Sequence, residues 1–163
     1  MSKTPLDAVV VGAGPAGLAS ALEAKKLGLR CVVIDKGGIT DSILHFPAHM
    51  VFFTTPELLE IGGVPLVSDR EKPTRNEALK YYRKVVGAFK LQVNQYEEVE
   101  RIEQPEPHLF RVHTSLGQYD ARNVVLSIGY YDNPNFMGIP GEDLPHVSHY
   151  FTEAHFFYDR DVV

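Results

Sequence analysis

The sequence predicts an α/β fold in three layers, with a parallel central sheet and a small antiparallel β-meander laid over it. Three observations carry that expectation. An apolar strand, a glycine turn, an alanine-rich helix and a second apolar strand follow one another through residues 7–36. A capped amphipathic helix over residues 73–90 then leads into another short apolar run, which continues a β-α-β-α-β order. Residues 98–121 break that order with three short strands separated by turn residues.

The bulk properties set the class. A chain of 163 residues with a formal net charge of −5 has the composition of an ordinary globular protein and no basic patch for nucleic acid or an anionic membrane. No apolar run reaches the roughly 18 residues of a membrane span, and the N-terminus enters the first strand without a signal-peptide layout, so a cytoplasmic protein is expected. Cys31 is the single cysteine; it stands among Val32, Val33 and Ile34 as a small buried apolar residue, and no C-x-x-C redox pair exists.

The first strand, Asp7 to Val11, is a continuous β-branched run, the pattern of a strand covered on both faces. Gly12, Gly14 and Gly17 follow in G-x-G-x-x-G spacing, with Pro15 and Ala16 between them. The first glycine suits a tight turn, the second admits a pyrophosphate close to the backbone, and the third lets the helix pack against the sheet. That helix starts near Pro15, carries Leu18, Ala21 and Leu22 on its inner face and closes at Gly28. Its free N–H groups and a partial charge of roughly +0.5 point at the glycine loop, which binds a diphosphate without a basic side chain. The second strand, Cys31 to Ile34, ends at Asp35. A carboxylate about 20 residues beyond the glycines accepts the hydroxyls of an adenosine ribose and repels a 2′-phosphate. The residues therefore describe a Rossmann-like unit for FAD or NAD rather than NADP.

Residues 41–56, DSILHFPAHMVFFTTP, mix aromatic groups and polar tips without a clean period, as pocket walls do. Ser42, His45, His49 and Phe53 are the candidates for cofactor contact; the alternative is that the histidines satisfy local backbone and that Phe52 and Phe53 belong to the core. Thr74 and Glu77 form a capping box ahead of Ala78, Leu79, Tyr82, Val85, Val86 and Phe89, with Lys80, Arg83, Lys84 and Lys90 on the solvated face. Leu91 to Val93 is expected as the third parallel strand, reached by a right-handed crossover.

The meander is expected over Val99 to Ile102, Phe110 to Thr114 and Tyr119 to Ala121, with turns at Pro105-Glu-Pro107 and Ser115-Leu-Gly117. Asn123 to Gly129 then returns to the parallel sheet, and a glycine at the carboxyl end of such a strand places Ser127 and Gly129 against the dinucleotide. His146, His149 and His155 lie at i, i+3 and i+9 without cysteine or clustered acids, so no metal site is expected.

Together GAGPAG, the acid at Asp35, the meander, SIGYYDNPN and IPGEDLP resemble the N-terminal half of the thioredoxin-reductase-like, FAD-dependent pyridine nucleotide-disulfide oxidoreductases. Within that group, DSILHFPAHMVFFTTPELLEIGGVPL, KPTRNEALKYYRKVV and HYFTEAHFFYDRDVV are similar to the bacillithiol-disulfide reductases. The resemblance implies that NADPH passes hydride to FAD, and that reduced FAD reduces a low-molecular-weight disulfide in a homodimer. It places Gly12, Gly14, Pro15, Ala16 and Gly17 at the FAD pyrophosphate and Asp35 and Lys36 at the adenosine ribose. The Val99 backbone falls near adenine, and Ser127, Gly129 and Tyr130 near the flavin. It assigns no catalytic residue.

Two departures qualify the resemblance. Many of these reductases carry a cysteine in the loop, as G-x-G-P-C-G, where this chain has Ala16; a covalent thiol relay has no residue to run on. The family's second glycine-rich loop, for NADPH, follows a strand that begins at Asp161-Val-Val163. Residues 1–158 are thus expected to be an incomplete FAD-binding domain and 159–163 the start of an NADPH-binding domain, a fragment without turnover of its own. The rival readings are a flavin monooxygenase, whose linker the stretch Phe151 to Tyr158 superficially resembles, and a non-catalytic dinucleotide-binding module.

Overall fold

The computed structural model describes residues 4–163. In chain order the elements are β1 (Ala8–Val11), α1 (Pro15–Lys26), β2 (Cys31–Ile34), α2 (Asp41–Leu44), α3 (Arg75–Phe89), β3 (Val93–Asn94), β4 (Val99–Glu106), β5 (Leu109–Thr114), β6 (Gly117–Ala121) and β7 (Val124–Leu126), with short 3₁₀ turns at Pro56–Leu58 and Ala154–Phe157.

The parallel sheet has the order β3-β2-β1-β7, so the first strand lies between its partners, with Val9 opposite both Val32 and Val124. Its valines are apolar on both faces because both faces are covered. On one side Val10 and Val33 pack against Leu18, Ala21 and Leu22 of α1 and Ala78, Tyr82 and Val85 of α3. On the other, Val9, Val32 and Ile34 meet Val112 and Ala121 of the β4-β5-β6 meander. Helices, parallel sheet and meander are the three layers. Burying a side chain such as Leu18 or Leu22 contributes about 1.5–3 kcal/mol, and the two of them fix α1 to the sheet.

Helix α1 begins with Pro15 at its first turn, where the missing N–H costs nothing, and gives way to Gly28 at φ +72°. Helix α3 carries the complete capping box: the Glu77 amide donates to Thr74 Oγ1, and the Glu77 carboxylate accepts the Thr74 amide. Those bonds hold the Glu77 carboxyl down at about 2, chiefly through the Thr74 amide and then its hydroxyl. Tyr81, absent from the expected apolar stripe, is also buried, and its hydroxyl accepts the Ile61 amide at 2.7 Å and donates to Val64 O at 2.9 Å. The neighbouring Tyr82 donates to Leu59 O, and burial pushes its phenol up to about 12. Both tyrosines tie the segment after Pro56 to the helix.

Several boundaries differ from expectation. The third strand starts at Val93 rather than Leu91, because the Leu91 amide donates to Val86 O and still belongs to the end of α3. Strand β4 runs through Pro105 to Glu106, and the turn is Pro107-His108. Proline is accommodated there because β4 is an edge strand, with a register shift between Glu103 and Glu106. The last parallel strand stops at Leu126, three residues short of Gly129. Residues 159–163 are not in a strand, and Val162 and Val163 are exposed. Cys31 is half-buried rather than buried, and burial raises its thiol pKa.

Candidate cofactor site

The carboxyl ends of β1, β2 and β7 open into one groove, the location where open parallel sheets hold ligands. The Gly12 amide donates to Ile34 O and the Ser127 amide to Val11 O, both at 2.8 Å, which fastens the start of the glycine loop between the flanking strands. Gly12 has φ +105°, and a Cβ there would lie 2.3 Å from Ser127 O. A Cβ on Gly17 would lie 1.9 Å from Gly12 O. Packing and backbone conformation therefore demand both outer glycines.

Gly14 is different. Its φ is an ordinary −74°, and a Cβ there would meet no atom within 4 Å. Neither conformation nor protein packing requires glycine at this position; what the missing side chain leaves is open groove. Among the described residues the Gly14, Ala16 and Gly17 amides donate to no protein group, whereas the Ala13 amide is taken by Asp35. Free amides at a helix N-terminus beside an empty approach fit a diphosphate.

Asp35 closes the loop from the other side. Its Oδ2 accepts the Ala13 amide at 2.5 Å and its Oδ1 accepts the Gly37 amide at 2.8 Å, which orients the carboxylate at the groove. Thr40 is buried in the left-handed region at φ 55° and donates its amide to Ala13 O at 3.0 Å. A β-branched residue rarely holds that conformation, and here it couples the 40–43 wall to the glycine loop.

The groove has two chambers. The larger, about 450 Å³, is lined by Gly12, Gly14, Pro15, Ala16, Asp35 and Lys36 and by Ser42, Ser127, Gly129 and Tyr130. The smaller, about 340 Å³, is lined by Val99 with Glu98 and Asn133 and again by Asp35 and Lys36. Gly17 lies buried beneath the loop and faces neither. The Lys36 ammonium sits 2.6 Å from Asp132, whose carboxylate raises its pKa.

Three sequence candidates fall outside both chambers. The His45 ring nitrogen turns back to Asp41 O at 2.9 Å, His49 is exposed, and Phe53 is 91% exposed. Because α2 is a single turn, alternate side chains of this stretch point away; Phe46 and Phe52 supply the aromatic wall instead, with the Tyr131 ring 5.1 Å from that of Phe46. Thr40, Tyr131 and Asp132 also line the larger chamber; Tyr131 and Asp132 stand in the SIGYYDNPN stretch, where no spacing singles them out. Cys31 opens the strand whose tip is Asp35, about 13 Å away at the usual rise per residue, so among the described residues no thiol lines either chamber.

Comparison with known proteins agrees with this geometry. The chain is 43% identical over 156 residues to the bacilliredoxin reductase Bdr of Bacillus subtilis, covering 96% of this chain and 48% of that one. It superposes on the bacillithiol disulfide reductase Bdr of Staphylococcus aureus with a TM-score of 0.94 at 38% identity, covering 98% of this chain and 49% of the other. A flavin monooxygenase of Stenotrophomonas maltophilia is more distant, at a TM-score of 0.70 and 26% identity over 76% of this chain and 38% of that one. The chain thus spans about half the length of the curated relatives it matches. A family model described as pyridine nucleotide-disulphide oxidoreductase matches residues 9–163, and with the glycine loop, parallel sheet and meander in place, the chain belongs to that family.

Proposed function

We propose that residues 1–163 bind FAD, and that the complete protein carries electrons from NADPH through that FAD to a low-molecular-weight disulfide such as bacillithiol disulfide. The observation that carries this is Gly14: a glycine required by neither φ nor packing, whose amide and that of Ala16 open on the groove without a partner among the described residues. The similarity to the two Bdr proteins supports the substrate class.

A bound flavin supplies the hydride and electron chemistry; the chain binds and orients it. The Gly14 and Ala16 amides hold the diphosphate, aided by the positive end of α1. Asp35, held by the Ala13 and Gly37 amides, keeps its remaining lone pairs for the ribose. The Val99 backbone, with Lys36, borders the adenine, while Ser42, Ser127, Gly129 and Tyr130 border the flavin side. With Ala16 in the loop and Cys31 at the far end of its strand, the disulfide is reduced without a thiol from residues 4–163. A homodimer in the cytoplasm completes the proposal, on the family resemblance.

The test is NADPH oxidation by the complete, FAD-loaded protein, with bacillithiol disulfide as acceptor. Disulfide-dependent oxidation with release of thiol is expected. NADPH consumption matched by oxygen uptake, with no thiol formed, would instead favour the monooxygenase reading that the more distant structural match supports.

A further inference from the structure

The ion pair between Lys36 and Asp132 joins the tips of two strands that are not neighbours. Lys36 follows the end of β2 and Asp132 follows the end of β7, and β1 lies between those strands. Two strand spacings separate them, about 9.6 Å. The pair closes that span at 2.6 Å, and both residues line the groove together with Gly12, where the glycine loop starts. Lys36 and Asp132 line both chambers, as do Gly12 and Gly129. The pair therefore stands where the two chambers meet, and a ligand extended through both must pass it.

We propose that Asp132 is a positioning residue of this site: it holds the Lys36 ammonium across the groove as a strap that opens to admit an extended dinucleotide and closes to retain it. The proposal rests on the reading of the groove as an FAD site. The two partners are unequal. Asp132 sits beside a fixed backbone, where the Asn133 amide donates to Tyr130 O and the hydroxyls of Tyr131 and Tyr150 donate to His45 O and Tyr131 O. Lys36 swings on a flexible four-carbon stem and keeps its charge beside Asp132, Glu98 and Asp35. Lysine is the moving part and aspartate the catch. Because the two side chains are 58% and 54% exposed, the bond is weak enough to open readily.

The experiment is stopped-flow flavin fluorescence on the 163-residue chain with FAD as the probe, measuring uptake and release in wild type, Asp132→Asn and Asp132→Glu. Asp132→Asn is expected to speed both uptake and release by up to about fivefold, the range of an exposed ion pair. Asp132→Glu is expected to return toward wild-type rates, and melting temperatures to stay unchanged. Added salt should speed exchange in wild type and not in Asp132→Asn. Equal rates in wild type and Asp132→Asn overturn the strap. So does slower release from Asp132→Asn, which would mean that Lys36 serves the diphosphate better without its partner. A wild-type chain that takes up no FAD overturns the reading of the groove itself, and the strap with it.

Discussion

The Asp35 carboxylate accepts the Ala13 amide at 2.5 Å, joining the tip of the second parallel strand to the middle of the glycine loop. With the Gly37 amide on its other oxygen, one side chain orders both edges of the groove. Replacing Asp35 with Ala strands two amides that face a carboxylate. The expected cost is about 1.5–3 kcal/mol, the scale of hydrogen bonds to a charged group. Chemical denaturation of the FAD-free chain measures it, and a loss too small to resolve would show that the loop holds its shape without Asp35.

The outer and middle glycines separate folding from binding. Gly17→Ala forces a Cβ to 1.9 Å from Gly12 O, and Gly12→Ala adds strain at φ +105° to a clash with Ser127 O. Both are expected to lower the melting temperature markedly. Gly14→Val meets open space at an ordinary φ, so its thermal stability should match wild type while FAD affinity falls. Melting curves and FAD titrations on the same samples decide it; a destabilised Gly14→Val would contradict the packing described for the loop.

Cys31 is half-buried at the start of β2, with its pKa raised by burial, which keeps it protonated and unreactive at neutral pH. Cys31→Ser is expected to leave disulfide reduction by the complete protein unchanged, at a stability cost of about 1 kcal/mol for a poorly partnered hydroxyl. Steady-state rates measure this, and a large loss of turnover without unfolding would place a redox role on this thiol.

Glu142 gathers the loop before the C-terminal segment. Its carboxylate accepts the Met137 amide at 2.9 Å and the Gly138 amide at 2.7 Å, and lies 3.1 Å from the His149 ring. These partners, the Met137 amide foremost, hold its carboxyl down at about 2. An unfolded glutamate titrates near 4.3. A carboxyl with the lower value in the folded chain stabilises it fully above about pH 4.3 and loses that contribution as pH falls toward about 2. Hydrogen-exchange protection at Met137 and Gly138 should therefore fall over that window in wild type. Glu142→Gln should lower protection at neutral pH and remove the dependence. Protection in wild type that stays flat down to about pH 2 would contradict the clasp.

The N-cap of α3 offers a local test. Thr74→Ala removes the acceptor for the Glu77 amide and is expected to cost about 1 kcal/mol. Glu77 then loses a partner that holds its carboxyl low. Denaturant midpoints read the loss, and an unchanged midpoint would mean that tertiary contacts alone set the helix start.

What was legible in the sequence followed from local physics. Parallel strands covered on both faces must be apolar throughout, so Val9, Val10, Val32 and Val33 announced themselves. The positions of the loop glycines and of Asp35 are legible because their spacing is fixed by one strand, one turn and one helix. The capping box was legible because its two residues bond each other. The remaining wall of the groove was not. Of the candidates Ser42, His45, His49 and Phe53 only Ser42 lines the groove, where Phe46 and Phe52 stand too, because a single turn of helix and irregular chain have no period to assign faces. Asp132 is not legible in the sequence, because its partner follows a non-adjacent strand and no sequence spacing records that. Pro105 reads as a turn residue in the sequence, and its place in a strand follows only from the sheet order, which puts β4 at an edge.

The most direct measurement is a titration of the purified chain with FAD, followed by quenching of flavin fluorescence, with NADP as the competitor. One FAD bound per chain, undisplaced by NADP, is the expected result. A chain that melts cooperatively yet leaves flavin fluorescence unquenched would contradict the account, because the open space at Gly14 and the free amides around it would then serve no diphosphate.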